Sequence, residues 1–201
     1  MNSETVSPAD LSFVHLVRHG KPQASWGDHG ADPDPGLDDE GHAQAKAAAR
    51  ALLALPPEER PVRVVSSPLR RCRETAEPLA ELLGVDPVIE ADVAEIPTPA
   101  DLAAEARPGW LRQAFTGEWR DISGDRDYAR WAAGVAAACA RHPQAAIFSH
   151  FVAINAAVGA AVGDARVRQF EPGHAAITTF RIDQGVLQLV RRGAVASTQV
   201  L

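Results

Sequence analysis

Short apolar runs that end in turn residues and hand over to helical stretches set the tightest limit on what this chain can fold into. Residues 12–17 read SFVHLV and are stopped by Gly20, residues 62–66 read VRVVS, and residues 145–149 read AAIFS. Each is too short for a buried helix and apolar on successive positions, the pattern of a strand covered on both faces. Between them, Asp38 is placed to cap a helix over 39–55 that Pro56 and Pro57 stop, after a loop rich in Pro, Gly and Asp over 21–36. Pro68 sits where a first helical turn would open, and that helix closes at Gly84 with Pro78 inside it. A short third strand is expected over 87–90, a helix capped by Asp125 or a neighbour through Trp131 to about Arg141, and another helix over 152–162. The tail changes period: AITTFRI and GVLQLVR alternate around Asp183-Gln184-Gly185, as in an antiparallel hairpin.

Strands alternating with helices predict a three-layer α/β/α sandwich with a mostly parallel central sheet and an antiparallel edge hairpin at the C-terminus. With 201 residues and 46% hydrophobic content the chain can bury one good core, so a single domain over 1–201 is expected. Pro99, Pro108, Gly109, Trp110 and Trp119 break the rhythm, and the stretch at about 98–121 reads as a helical cap insertion. Such an excursion is where substrate choice resides.

A net charge of −6 argues against nucleic acid or an anionic membrane as partner, since both reward a basic face. Cys72 and Cys139 are far apart and without metal-ligand spacing, so two reduced, buried thiols are expected. No apolar run approaches the ~20 residues that span a bilayer, and the first twelve residues lack a signal pattern, so the expectation is a soluble, cytoplasmic protein. A homodimer stays open.

Ligands of such sheets bind at the carboxyl ends of the strands. The first predicted strand runs into Arg18-His19-Gly20, the second leads through Ser66-Ser67-Pro68 to Arg70 and Arg71, and the run 145–149 leads to His150. Two imidazoles and a set of guanidiniums at one rim suit a phosphate dianion better than a metal, because permanent arginine charges repel a divalent cation. Neighbouring positive charge also keeps a histidine neutral and nucleophilic. In outline, Arg18 grips phosphate oxygens and His19 attacks phosphorus, with the carbonyl of Gly20 fixing the ring tautomer.

LVRHG, followed by SSPLRRCRETA and a later IFSH, resembles the histidine phosphatase superfamily in the branch that includes phosphoglycerate-mutase-like enzymes. LDDEGHAQA, 37–45, is similar to that family's first helix. The resemblance implies His19 as the phosphoryl-accepting nucleophile, with Arg18, Arg71 and His150 forming the phosphate pocket; Arg70 becomes a surface or secondary contact. It also implies a carboxylic acid after the third strand, for which Glu95 matches best, with Glu90 and Glu118 as alternatives. Ser25 stands where many members carry a phosphate-touching asparagine, and Phe151 replaces a glycine that often follows the second histidine.

The expected activity is that of a metal-independent, acid-type histidine phosphatase acting on a small phosphorylated metabolite, without a cofactor. The alternatives are a phosphoglycerate-mutase-like phosphotransferase, which the EIPTP loop and short chain disfavour, and a non-catalytic phospho-ligand-binding protein. His15 is expected to pack against a covering helix, and His29, His42 and His142 to lie on the surface or on helices. His174, in EPGHAAI, precedes the tail strand near where the chain returns toward the pocket. Trp110, Trp119 and Trp131 are read as anchors of the excursion.

Overall fold

The computed structural model describes residues 12–23 and 34–196. Six strands among them form one sheet: β1 (Ser12–Arg18), β2 (Arg63–Ser66), β3 (Val88–Ile89), β4 (Ala145–Ser149), β5 (Ile177–Asp183) and β6 (Val186–Arg191), in the order β3-β2-β4-β1-β5-β6. The pairs β1–β4, β4–β2 and β2–β3 are parallel, whereas β5 runs antiparallel to β1 and to β6. Gln184 and Gly185 turn the final hairpin with positive φ at both positions, the conformation that matches the twist of the flanking strands.

Apolar residues on successive positions of the central strands feed two separate cores. Ala145 and Ile147 of β4 join Val14, Leu16 and Val65 beneath α4 (Tyr128–Ala140) and α5 (Phe151–Val162). Ala146 and Phe148 face the other way, with Val17 and Val64, against α1 (Asp39–Leu53) and α2 (Arg70–Leu83). The molecule is the expected three-layer α/β/α sandwich. Because the chain uses α1 and α2 on one face and α4 and α5 on the other, the carboxyl ends of β1 and β4 open into a crevice where its direction switches.

Several local expectations change in detail. Asp38 caps α1 by accepting from the Gly41 amide (2.7 Å), as its position requires, but α2 begins at Arg70, so Pro68 precedes the helix instead of opening it. The helix runs on through Pro78 and closes on left-handed Gly84. Of the expected candidates, Asp127, a neighbour of Asp125, caps α4. The third strand keeps only two of its four expected residues. The His15 ring donates to the Glu59 carbonyl (2.6 Å) and accepts from the Thr179 hydroxyl (3.1 Å), so the turn after α1 helps to cover it. His142 does not sit free on the surface; its ring pairs with Glu90 (3.1 Å). No helix among the described residues is long and apolar enough to cross a membrane.

The stretch between the third strand and α4 carries α3 (Arg107–Ala114) flanked by 3₁₀ turns at Ala104–Ala106 and Trp119–Asp121. Leu111, Phe115 and Trp119 sink into the α4–α5 core. Trp119 pairs with Trp131 and Trp110 with Tyr128, each at 5.6 Å between centroids.

The end of β1 and the start of α1 meet through two glycines. A Cβ on Gly20 would lie 2.6 Å from the Gly41 carbonyl oxygen, and one on Gly41 would lie 2.2 Å from the Lys21 carbonyl oxygen. Both neighbours are backbone and cannot swing aside. Gly41→Ala is therefore expected to destabilise the fold by about 1–3 kcal/mol through overpacking, read as a lower urea midpoint with an unchanged m-value.

Candidate active site

Three neighbouring strands deliver the side chains. Arg18 ends β1 and is followed by His19; β2 leads through Ser67 to Arg71 in the first turn of α2; β4 leads to His150, which precedes α5. All four are buried, with Arg18 7%, His19 6%, Arg71 6% and His150 0% exposed. Residues of such polarity are rarely this enclosed unless they meet one another or a ligand.

The hydrogen bonds fix both imidazoles. The carbonyl of Gly20 lies 2.8 Å from His19 Nδ1, so Nδ1 carries the proton and Nε2 keeps its lone pair. At His150 an arginine can only donate, so Arg71 Nη2 donates to Nδ1 (3.1 Å) and Nε2–H donates to the Ser67 hydroxyl (2.8 Å). The two rings stand 5.4 Å apart. Burial pushes both imidazoles well below the usual histidine range; His150, Arg71 and Arg18 push His19 further down, and Arg71, Arg18 and Arg107 do the same to His150. His19 is a neutral ring with a free nitrogen in a positive field.

Glu95 follows the 3₁₀ turn Ala91–Val93, which is tied to β4 by the Ser149 hydroxyl donating to the Val93 carbonyl (2.6 Å). Its carboxylate lies 3.6 Å from His150 Nδ1 and 3.8 Å from Arg71 Nη2. Burial raises its pKa against the pull of Arg107 and Arg71, the state a proton donor needs. Glu95 Oε2 and Arg18 Nε are both buried without a hydrogen-bond partner among the described residues. Burial also lowers Arg18 to about 10, while its Nη1 donates to the Pro172 carbonyl (2.8 Å).

The structure thus brings Arg18, His19, Arg71, His150 and Glu95 together. Glu90 is engaged elsewhere, by Arg141 (3.2 Å) and His142, and Glu118 pairs with Arg120 (2.8 Å) on the outer turn of the excursion. Arg70 points away to Glu74 (2.7 Å), as a secondary contact would. Ser25 and His29 lie outside the described residues, and His42 faces Glu74 at 3.9 Å. Phe151 does two things: its ring packs on Phe115 (5.4 Å) and lies under the Arg18 guanidinium (5.4 Å). Cys72 is buried beside His150, and burial pushes its thiol well above the usual cysteine range, so it stays protonated; no group of three His, Cys, Asp or Glu among the described residues could hold a metal ion.

Two contributors escape sequence reading. Arg107, at the start of α3, acts electrostatically on Glu95 and His150, yet nothing in its sequence context marks it among so many arginines. Thr75 is visible in the motif, but its work is not: it accepts from the Gly20 amide (2.9 Å) and donates to the Arg71 carbonyl (2.6 Å), linking both halves of the site.

Residues 14–194 match the histidine phosphatase superfamily, branch 1, and the chain belongs to that family. A phosphoserine phosphatase from Entamoeba histolytica, solved with 3-phosphoglyceric acid, superposes with a TM-score of 0.70 at 20% identity, over 94% of this chain and 98% of that one. A mycobacterial glucosyl-3-phosphoglycerate phosphatase gives 0.65 at 21% identity, over 94% and 100%. At such identities the likeness concerns the fold. The 55 kDa subunit of transcription factor tau from Saccharomyces cerevisiae is 32% identical over 128 residues, which span 54% of this chain and 28% of that protein. Family membership supports phosphatase chemistry in general.

Thr75→Val removes the hydroxyl while keeping the shape. It strands the buried Gly20 amide, so a stability loss of about 1–3 kcal/mol is expected, together with a fall in kcat, measured by urea unfolding and steady-state kinetics on the same preparation.

Proposed function

We propose that the protein hydrolyses small phosphomonoesters through a phosphohistidine on His19. The observation that carries this is the His19 ring itself: buried, neutral, its Nδ1 held by a carbonyl and its Nε2 open among Arg18, Arg71 and His150. Arg18 and Arg71 bind the phosphate dianion with charge-assisted hydrogen bonds, and His150 completes the pocket. The lone pair of Nε2 forms the N–P bond as the ester P–O bond breaks. The departing oxygen takes the proton of Glu95. In the second half a water attacks phosphorus and gives its proton to the Glu95 carboxylate. The N–P bond breaks, its electron pair returns to Nε2, and inorganic phosphate leaves.

No metal or cofactor takes part in these steps. The stretch at 98–121, as a cap on a single domain, favours a small phosphorylated metabolite over a bulky phosphoprotein: Phe115 packs on Phe151, and Arg107 acts on Glu95 from the same layer. Ser25 is assigned to phosphate binding by resemblance alone. The cytoplasmic setting belongs to the same proposal, as does the lack of nucleic-acid or membrane partners.

His19→Ala is expected to lower turnover of p-nitrophenyl phosphate by at least ~10³-fold and to abolish acid-labile labelling of the protein by radioactive substrate; equal rates in wild type and variant would reject the mechanism. Glu95→Gln separates the acid from the pocket. An alkyl phosphate, whose leaving oxygen needs a proton, should lose ~10²–10⁴-fold, whereas p-nitrophenyl phosphate should lose much less. Wild-type kcat/KM on the alkyl ester should fall as pH rises through the raised Glu95 pKa, because the acid must be protonated, and this limb should vanish in Glu95→Gln. A pH limb that persists in the variant would remove Glu95 from the role.

A further inference from the structure

His174 lies beside the nucleophile and takes no part in the chemistry described so far. Its ring centroid is 5.8 Å from that of His19, with the planes tilted by 42°. The ring is half-buried, and neither nitrogen has a hydrogen-bond partner among the described residues. Imidazoles withdrawn from water meet a carbonyl or carboxylate, as buried His15 and half-buried His142 do here.

The backbone holds this residue firmly against the end of β1. Ala175 N–H donates to the Arg18 carbonyl (3.0 Å) and reaches that of His19 (3.3 Å). Arg18 N–H donates to the Ala176 carbonyl (3.2 Å), and the Arg18 side chain holds Pro172. Ala175 adopts φ +55, a left-handed conformation that costs an alanine about 1 kcal/mol or more. That reversal turns the chain between the pocket and β5.

We propose that His174 is a further phosphoryl-binding residue, donating one ring N–H to an oxygen of the phosphoryl group carried by His19, in the substrate complex and in the phosphohistidine. The assignment rests on the reading of His19 as the phosphoryl acceptor. The spacing of the two rings leaves room for a phosphoryl oxygen between them, at hydrogen-bonding reach of the second ring. Arg18 and Lys21 face His174 with positive charge and Asp38 and Glu40 with negative; burial dominates and lowers its pKa to about 4. The ring therefore contributes a neutral hydrogen bond, in contrast to the arginines.

Two variants of the full chain distinguish binding from packing. His174→Phe keeps a ring of similar shape and loses both nitrogens; His174→Asn loses the ring and keeps an N–H donor. Calorimetric titration with inorganic phosphate should show affinity about 5- to 10-fold weaker in His174→Phe, as for loss of one neutral hydrogen bond, and within about twofold of wild type in His174→Asn. Turnover of p-nitrophenyl phosphate, scored separately, should fall in the same order. Weakened phosphate binding in His174→Phe with recovery in His174→Asn supports the assignment even if wild type shows no turnover, a result that would count against the phosphatase reading alone. Equal affinity in wild type and His174→Phe, or loss in both variants alike, overturns it, as does absence of phosphate binding in wild type.

Discussion

Positive charge held out of water beside a neutral imidazole is the condition on which the rest of this structure depends. Taking a guanidinium out of water costs several kcal/mol after relaxation, and two of them, Arg18 and Arg71, are nearly enclosed in one pocket. The carboxyl of Glu95 and the carbonyl of Pro172 offset part of that cost, while Arg18 Nε has no partner among the described residues. Burial, reinforced by the same cations, keeps His19 and His150 from taking up protons. In the mechanism proposed above, anion affinity and nucleophile activation are therefore two results of one arrangement.

Such an arrangement survives only on a stiff support. Arg18 ends β1 opposite Ser149, and His150 directly follows β4, so their separation is set by the parallel β1–β4 ladder. The first turn of α1 holds no reacting group, yet its close backbone approach at Gly41 and Gly20 fixes how β1 leaves the sheet. Thr75 links the Gly20 amide to the Arg71 carbonyl, and Ser149 ties the segment carrying Glu95 to β4. Thr75 and Ser149 thus each join two of the elements that carry the buried charged residues. The excursion is joined to this support through Phe115, Phe151 and the Arg18 guanidinium, so it touches the buried arginine at the end of β1.

The sequence by itself determined the layers, the parallel core of the sheet, the closing hairpin and the residues Arg18, His19, Arg71 and His150 as one rim, because strand periodicity, turn residues and linear motifs are local properties of the chain. Glu95 was legible only as one of three carboxylates. The tertiary structure buries Glu95 beside His150, whereas Arg141 and His142 pair with Glu90 and Arg120 with Glu118. It alone placed Arg107 in the electrostatic field of the pocket, turned His15 toward a loop carbonyl and brought His174 to within 5.8 Å of His19. The physical reason is that burial and charge coupling depend on distances between residues far apart in the chain, and only packing of the sheet with its two helical layers fixes those distances.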